Sequence, residues 1–243
     1  MNNPFGFLLI ATFLLGVVDR QWGDKWLNRL KKLATKSPQR LLFFGALLSI
    51  VVFLEVMHFR HFDEPYWNLN VEQGNGTYFS STLLYLLGLI ILIIYREEGK
   101  DPSKNENRWL WLLVAFVYLY LTLDECLAIH EQFMMWFQKI RPDAKAFHFI
   151  HEWLWVYVPF IVVVVVFFIR FFLWRFRNEF SVILILFTAL SLWVSVIFFE
   201  GIAKNIVDPM GHGVLLIGME EGAEMMGSLL FLIGFSRHLR KAG

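Results

Sequence analysis

Long apolar stretches separated by short polar loops dominate the chain. A bilayer core of about 30 Å needs roughly 20 consecutive apolar residues in helical form. The pattern therefore predicts an all-α polytopic membrane bundle of about seven transmembrane helices, forming a single domain over 1–243. The predicted spans are 5–18, 41–59, 78–95, 109–137, 149–172, 180–202 and 214–235. The first is the shortest, and whether it crosses the membrane completely is left open.

Segment 19–40 departs from this pattern because it is rich in Lys and Arg. Within it Trp22, Trp26, Leu30 and Leu33 recur at helical spacing. This combination predicts an amphipathic helix lying in the membrane interface on the cytoplasmic side. The polar loop 60–77 is predicted to lie on the other side, in the periplasm.

Basic residues predict the orientation of the bundle. Lys and Arg concentrate in 19–40, 96–108, 170–177 and 237–241, whereas 60–77 and 203–212 are poor in them and only 138–147 dissents. By the positive-inside rule the N-terminus is outside and the C-terminus is cytoplasmic. The first residues lack a basic n-region and a cleavage site, so we expect no cleavable signal peptide.

Composition supports the membrane class and excludes several others. Hydrophobic residues make up 57% of the chain, with 26 Phe and 10 Trp. A net charge of +1 gives no indication of a nucleic-acid partner. The lone Cys126 excludes an internal disulfide and a Cys-rich metal site.

Ionisable residues inside the predicted spans are the exception that suggests a function. A charge within the membrane costs a few kcal/mol or more unless it is paired or neutralised, so it marks a functional-site hypothesis. Counted from the last cytoplasmic Arg of each helix, several carboxylates fall at a shared depth of about 20 to 27 Å. Nine carboxylates lie in or near this layer, with Lys204 as the one nearby cation on a helix: Glu55, Asp124, Glu125, Glu131, Glu152, Glu200, Glu220, Glu221 and Glu224.

Helical periodicity predicts that the ionisable side chains of each span lie on one side of its helix. Asp124 and Glu131, seven residues apart, are predicted to share one line of a continuous helix over 109–137. Glu220, Glu221 and Glu224 fall within a third of the last helix, and His148, His151 and Glu152 share a face of the fifth. The cytoplasmic halves of these helices are almost wholly apolar.

Nine ionised carboxylates cannot share one low-dielectric layer, so either protons or metal cations neutralise them. Carboxylate with imidazole suits Fe, Mn or Zn. Glu125 and Glu221 are predicted to orient ligands or to act as general acid or base. The predicted ligands of this divalent metal ion are Asp124, Glu131, His148, His151, Glu152, Glu220 and Glu224.

The number of metal ions is left open. A dinuclear site of the ferritin-like type uses Glu-x-x-His, but Ala128 and Trp155 stand where Glu125 and Glu152 would need a His. A mononuclear Zn site could use His148, His151 and either Glu131 or Glu220.

Other polar positions favour structural roles. His58 and His61 are interpreted as interfacial loop residues, and Gly218 with Gly222 predicts close helix packing. Glu200 and Lys204 have the spacing of an i,i+4 ion pair.

Several motifs together resemble a group of uncharacterised bacterial multi-pass membrane proteins. They are Leu123-Asp124-Glu125-x4-His130-Glu131, Trp155-x3-Pro159, Glu200, and Glu220-Glu221-x2-Glu224-Met225-x-Gly227, which cover roughly the C-terminal half. The resemblance implies a multi-pass protein of the bacterial inner membrane, and it implies no activity.

The sequence thus predicts a metal-dependent membrane enzyme with its site in the outer leaflet, an oxidoreductase or a hydrolase, acting on a lipid-soluble or amphipathic substrate. The first alternative is a proton- or metal-cation-translocating protein, which needs a polar route through the inner half. The second is a structural or sensory subunit whose buried carboxyls are protonated and bind no ion.

Overall fold

The structure, a computed structural model, describes residues 20–71, 74–102, 106–140, 152–203 and 212–242, and within this part it contains helices and no strand. The all-α prediction is confirmed. The helices are α1 Arg20–Thr35, α2 Gln39–Arg60, α3 Asn75–Glu98, α4 Leu110–Leu127, α5 Ile129–Ile140, α6 Glu152–Arg175, α7 Phe180–Ala203 and α8 His212–Ala242.

Four helices are long and apolar enough to cross a membrane: α2, α3, α4 and the segment Phe180–Phe199 of α7. At about 1.5 Å per residue, α3 with its 24 residues measures about 36 Å, which exceeds a hydrocarbon core. The predicted first span 5–18 lies outside the described residues. The chain is therefore a membrane-type helical protein with four such spans in its described part.

Two helices form the centre of the bundle. α8 packs against α7, α3, α2 and α1, and α3 packs against α4 and α8. The span of α3 is 72% buried inside the protein, compared with 22% for α2, so α3 is enclosed and α2 lies at the edge. Gly88 lets α3 approach α4 closely, because a Cβ there would lie 2.7 Å from Leu119. These contacts fix the relative heights of α3, α4 and α8.

The prediction of one continuous helix over 109–137 is wrong. α4 ends at Leu127, and Ala128 adopts a left-handed conformation with φ 47° and ψ 50°, its N–H bonding to the carbonyl of Asp124. A single left-handed residue redirects the chain before α5 begins. The predicted alignment of Asp124 with Glu131 assumed an unbroken helix, so it no longer follows.

Candidate functional site

Aromatic rings fill the space between α4 and α8. Backbone contacts hold α4 against α3 and hold α8 against α7 and α3, whereas the described α4 and α8 meet chiefly through rings. Tyr118 lies 5.9 Å from Phe231 and 6.2 Å from Phe235, measured between ring centroids, and Trp111 lies 6.0 Å from Phe235. Rings from α6 and α7 complete this aromatic core: Phe168, Phe171, Phe172 and Trp193.

A buried ionic cluster closes one end of the aromatic core, which we call the inner end. The Glu98 carboxylate, with a side chain 0% exposed, pairs with Arg175 and His238 and accepts a 2.6 Å hydrogen bond from Trp111 Nε1. His238 Nδ1 lies 2.6 Å from Glu179 Oε1, and Lys241 pairs with the same carboxylate at 3.2 Å. The ionic cluster therefore joins the inner ends of α3, α4, α6 and α8.

Charge balance explains the protonation states in this cluster. Burial alone would lower the pKa of His238, but hydrogen bonds and attraction from Glu179 and Glu98 outweigh it and raise the pKa. Burial alone would raise the pKa of Glu179, but the hydrogen bonds and attraction from His238 and Lys241 outweigh it and hold this pKa below the usual value. Because each ring nitrogen of His238 lies within hydrogen-bond distance of a carboxylate oxygen, His238 is a cation held between two carboxylates, and this network of ion pairs has the chemistry of a structural clamp.

The ionic cluster was not predicted from the sequence. Glu98 lies in segment 96–108, which, like 170–177 and 237–241, was used only to predict the orientation of the bundle. The partners are far apart in sequence, since Glu98 contacts residues 77 and 140 positions away. The one available signal was a carboxylate at the last position of a long apolar helix.

The opposite end of the same interface is acidic. On α4, Trp111, Tyr118 and Glu125 are seven residues apart, and seven residues drift only about 20° around a helix. On α8, Glu224 precedes Phe231 by the same interval, and Glu220 is one turn farther out. Tyr118 touches Phe231, so an equal step of about 10 Å along both helices places Glu125 and Glu224 at about the same height.

We call Glu125, Glu220 and Glu224 the outer acidic site. Its height is tied to α3 as well, because the neighbouring Cys126 hydrogen-bonds with Ser81. Measured by helical rise, Glu125 lies about 21 Å from Trp111 and Glu224 lies about 21 Å from His238. The outer acidic site and the ionic cluster therefore occupy opposite ends of one aromatic interface.

Trp193 of α7 forms the inner wall of the outer acidic site. Its Nε1 donates to the carbonyl of Glu224 at 3.3 Å and to Ser228 Oγ at 3.2 Å. The indole fits over Gly227, where a Cβ would lie only 2.4 Å from Trp193 Cδ1. A glycine at this position is what allows the indole to reach Glu224.

The predicted carboxylates of α4 and α8 fall into two groups, according to whether helical periodicity places them on the α4–α8 side of their helix or beside it. By helical periodicity, Glu125 falls on the face of α4 that carries Tyr118, and Glu220 and Glu224 fall on the face of α8 that carries Phe231. Asp124 lies about 100° around α4 from Glu125, and Glu221 lies about 80° around α8 from Phe231. The assignments of Asp124 as a ligand and of Glu125 as an orienting or acid–base residue stay predictions, and by helical periodicity Glu125 is the one that shares the Tyr118 face of α4. Each of these five carboxylate residues takes part in a hydrogen bond, ion pair or other electrostatic interaction.

Glu55 of α2 explains the glycine pair that was predicted to serve helix packing. A Cβ at Gly222 would lie 2.6 Å from Glu55 Oε1, and a Cβ at Gly218 would lie 3.2 Å from Glu55 Oε2. The two glycines admit a carboxylate rather than a helix backbone. Glu55 Oε1 is buried and has no hydrogen-bond partner among the described groups.

His58 is not an interfacial loop residue, because it is fully buried. The N–H of Leu69 donates to Nδ1 at 3.2 Å, so Nε2 carries the proton and donates to the carbonyl of Val214 at 3.0 Å. Both ring nitrogens are therefore occupied. His58 fastens α2 to the following loop and to the start of α8.

Four predicted metal ligands cannot be compared with the structure. His148 and His151, and the side chains of Glu131 and Glu152, lie outside the described residues, as do the side chain of Glu200 and all of Lys204. Among the described side chains no group of three or more His, Cys, Asp or Glu is arranged to hold a metal ion. The seven-ligand metal site stays a prediction.

These features define an all-α protein of membrane type with a buried ionic cluster at one end of its aromatic core and carboxylates at the other. Residues 41–239 match the family described as Domain of unknown function (DUF8692), and the chain belongs to this family. No curated protein and no solved structure matches the chain significantly. The match to an uncharacterised family agrees with the resemblance noted from the motifs, whereas bacterial origin stays a prediction.

Proposed function

We propose that the chain is a multi-pass membrane protein that binds a divalent metal ion at the outer acidic site. It uses the ion as a metal-dependent enzyme on a lipid-soluble or amphipathic substrate. The observation that supports this most is the shared seven-residue step along α4 and α8. That step gives Glu125 and Glu224 the same height on two helices that are separated by aromatic rings, with Glu220 one turn farther out.

Charge at this height favours a bound cation. The described segments that reach it carry no Lys or Arg: 51–59 of α2, 76–84 of α3, 121–127 of α4 and 213–228 of α8. Both ring nitrogens of His58 are already hydrogen-bonded, to the N–H of Leu69 and to the carbonyl of Val214. Carboxylates at low dielectric need protons, a paired side chain or a bound cation to compensate them. A divalent ion supplies two charges at one point, and protons are the competing explanation.

The remaining ligands in this proposal come from the part of the sequence that follows α4. Glu131 belongs to α5, His148 and His151 shortly precede α6 in the sequence, and Glu152 is the first residue of α6. Imidazole added to carboxylates favours Fe, Mn or Zn. The metal would activate water or oxygen, and Asp124 and Glu221 flank the ligands. In the proposed topology of seven spans the site lies in the outer leaflet of a bacterial inner membrane, with the N-terminus outside.

A second candidate function, proton or cation translocation, has one observation in its favour. The hydroxyls of Tyr118 and Ser236 are buried without a hydrogen-bond partner among the described groups, and they lie between the two charged ends. Around Tyr118, however, the packed side chains are rings of Phe168, Phe231 and Phe235. An apolar ring layer opposes ion passage, so the enzyme ranks first.

Elemental analysis of the full chain purified in mild detergent tests the proposal. We expect stoichiometric Fe, Mn or Zn in the wild type and loss of metal in the isosteric double variant Glu125→Gln/Glu224→Gln. The matched control is Asp63→Asn/Glu106→Gln, which neutralises two exposed carboxylates elsewhere and should keep its metal. A wild type without metal would overturn the proposal. A double variant that retains metal would move the ligands away from the α4–α8 interface.

A further inference from the structure

The cations of α1 lie on one exposed face. Lys25, Arg29, Lys32 and Lys36 are all exposed. Their spacing of four, three and four residues confines them to an arc of about 60° on a helix. Lys36 continues the last turn, because its N–H bonds to the carbonyl of Lys32 at 2.9 Å. We call these four residues the basic face.

The other sides of α1 are occupied by the bundle. Leu30 is 4% exposed and Ala34 is 0% exposed, on the side opposite the basic face, where α1 packs against α2 and α8. A second side meets α3 through two ion pairs, Asp24 with Arg96 at 2.7 Å and Lys31 with Glu97 at 2.8 Å. The basic face is therefore left at the perimeter of the bundle.

The two ion pairs also fix the direction of α1. Asp24 and Lys31 are about 10 Å apart along the axis of α1, yet their partners Arg96 and Glu97 are adjacent in the last turn of α3. Helices running side by side would pair residues equally far apart on both. This mismatch indicates that α1 crosses the end of α3 rather than running alongside it, at the depth where a membrane-spanning helix emerges among the lipid headgroups.

From this placement we infer that the basic face of α1 is a docking surface for anionic phospholipid headgroups in the leaflet at the inner end of the bundle. Asp24, the one acidic residue of α1, pairs with Arg96, so among the described residues no carboxylate pairs with the four cations of the basic face. Leu33, 41% exposed, lies beside the basic face and gives it an apolar border. Cations bordered by an exposed apolar side chain match an interfacial helix better than a surface for a soluble acidic protein.

Lipid selectivity of the full chain in detergent micelles tests this inference. The probes are fluorescent phosphatidylglycerol and, as the neutral reference, fluorescent phosphatidylcholine. Each Lys or Arg near an anionic surface contributes roughly a fivefold change in affinity. We expect neutralisation by Lys25→Gln/Arg29→Gln/Lys32→Gln/Lys36→Gln to lower the preference for phosphatidylglycerol by about tenfold or more.

Two control variants separate a specific face from general positive charge. Lys25→Arg/Lys32→Arg/Lys36→Arg keeps the charges and should keep the preference. Arg170→Gln/Arg177→Gln/Arg240→Gln removes exposed cations from other elements and should also keep it. An unchanged preference in the α1 quadruple variant would overturn the inference, as would an equal loss in the Arg170, Arg177 and Arg240 variant. Binding of polyglutamate but not of phosphatidylglycerol to the wild type would also overturn it, by making an acidic protein the partner.

Discussion

Replacing Glu98 with Gln removes the anion at the centre of the ionic cluster while preserving its shape. The side chain is 0% exposed, and its two oxygens serve Trp111, Arg175 and His238. Gln offers one acceptor oxygen and turns an N–H₂ group toward groups that themselves donate. Arg175 and His238 then lose their shared counter-ion inside the protein. Removing one partner of a buried ion pair costs about 3 to 5 kcal/mol.

Unfolding of the detergent-solubilised protein measures this loss. We expect Glu98→Gln to lower the free energy of unfolding by about 3 to 5 kcal/mol, with Glu106→Gln, an exposed carboxylate outside the cluster, within about 0.5 kcal/mol of wild type. Replacing Glu98, Arg175 and His238 together by Leu or Met should recover much of the loss, since a buried ionic group can be exchanged for apolar side chains at little cost. A loss below about 1 kcal/mol for Glu98→Gln would refute the clamp.

Two further predictions concern the ionic cluster and the glycine contacts. Because the pKa of His238 is raised in the folded protein, its contribution should be complete below the unfolded pKa of about 6.5 and disappear as pH rises through the folded pKa. The difference in melting temperature between wild type and His238→Phe should therefore narrow toward alkaline pH, and a constant difference would contradict this. Gly227→Ala and Gly222→Ala should each cost about 1 to 3 kcal/mol by displacing Trp193 and Glu55, whereas Gly213→Ala, with nothing within 4 Å, should not destabilise α8.

The fold class could be predicted from the sequence because apolar runs alone define helices in a membrane. The predicted segments 41–59 and 78–95 fall within α2 and α3, and 180–202 lies within α7. The break at Ala128 could not be predicted, since no Gly or Pro interrupts the apolar pattern there. A left-handed alanine is disfavoured locally, so long-range packing and not local preference determines where α4 ends.

The sequence was enough to predict that acidic residues share one depth in the membrane, but not which side of each helix carries them toward a neighbouring helix. Carboxylates on α4 and α8 at one depth followed from counting residues along each helix. The ring contact of Tyr118 with Phe231 was needed to identify the face of α4 that meets α8, and Glu125 rather than Asp124 shares that face by helical periodicity. Trp111, Tyr118 and Glu125 recur every seven residues, so the sequence shows that they share one face of α4. The spacing does not show which helix packs against that face. The ion pairs of Glu98 could not be predicted from helical spacing, because its partners Arg175 and His238 are remote in sequence.

The aromatic core has an electrostatic consequence for the outer acidic site. Arg175 and Lys241 are engaged at the inner end, in the same cluster as His238, which lies about 21 Å from Glu224 by helical rise. With three cations paired to two carboxylates, the cluster carries at most one net positive charge. Most of its charge is neutralised locally, so it adds little at the outer end. Compensation for Glu125, Glu220 and Glu224 must therefore come from the outer side, as protons, as a metal ion or from neighbouring side chains. Glu98→Gln should accordingly leave the metal content unchanged, and loss of metal in a folded Glu98→Gln protein would mean that the two charged ends are coupled.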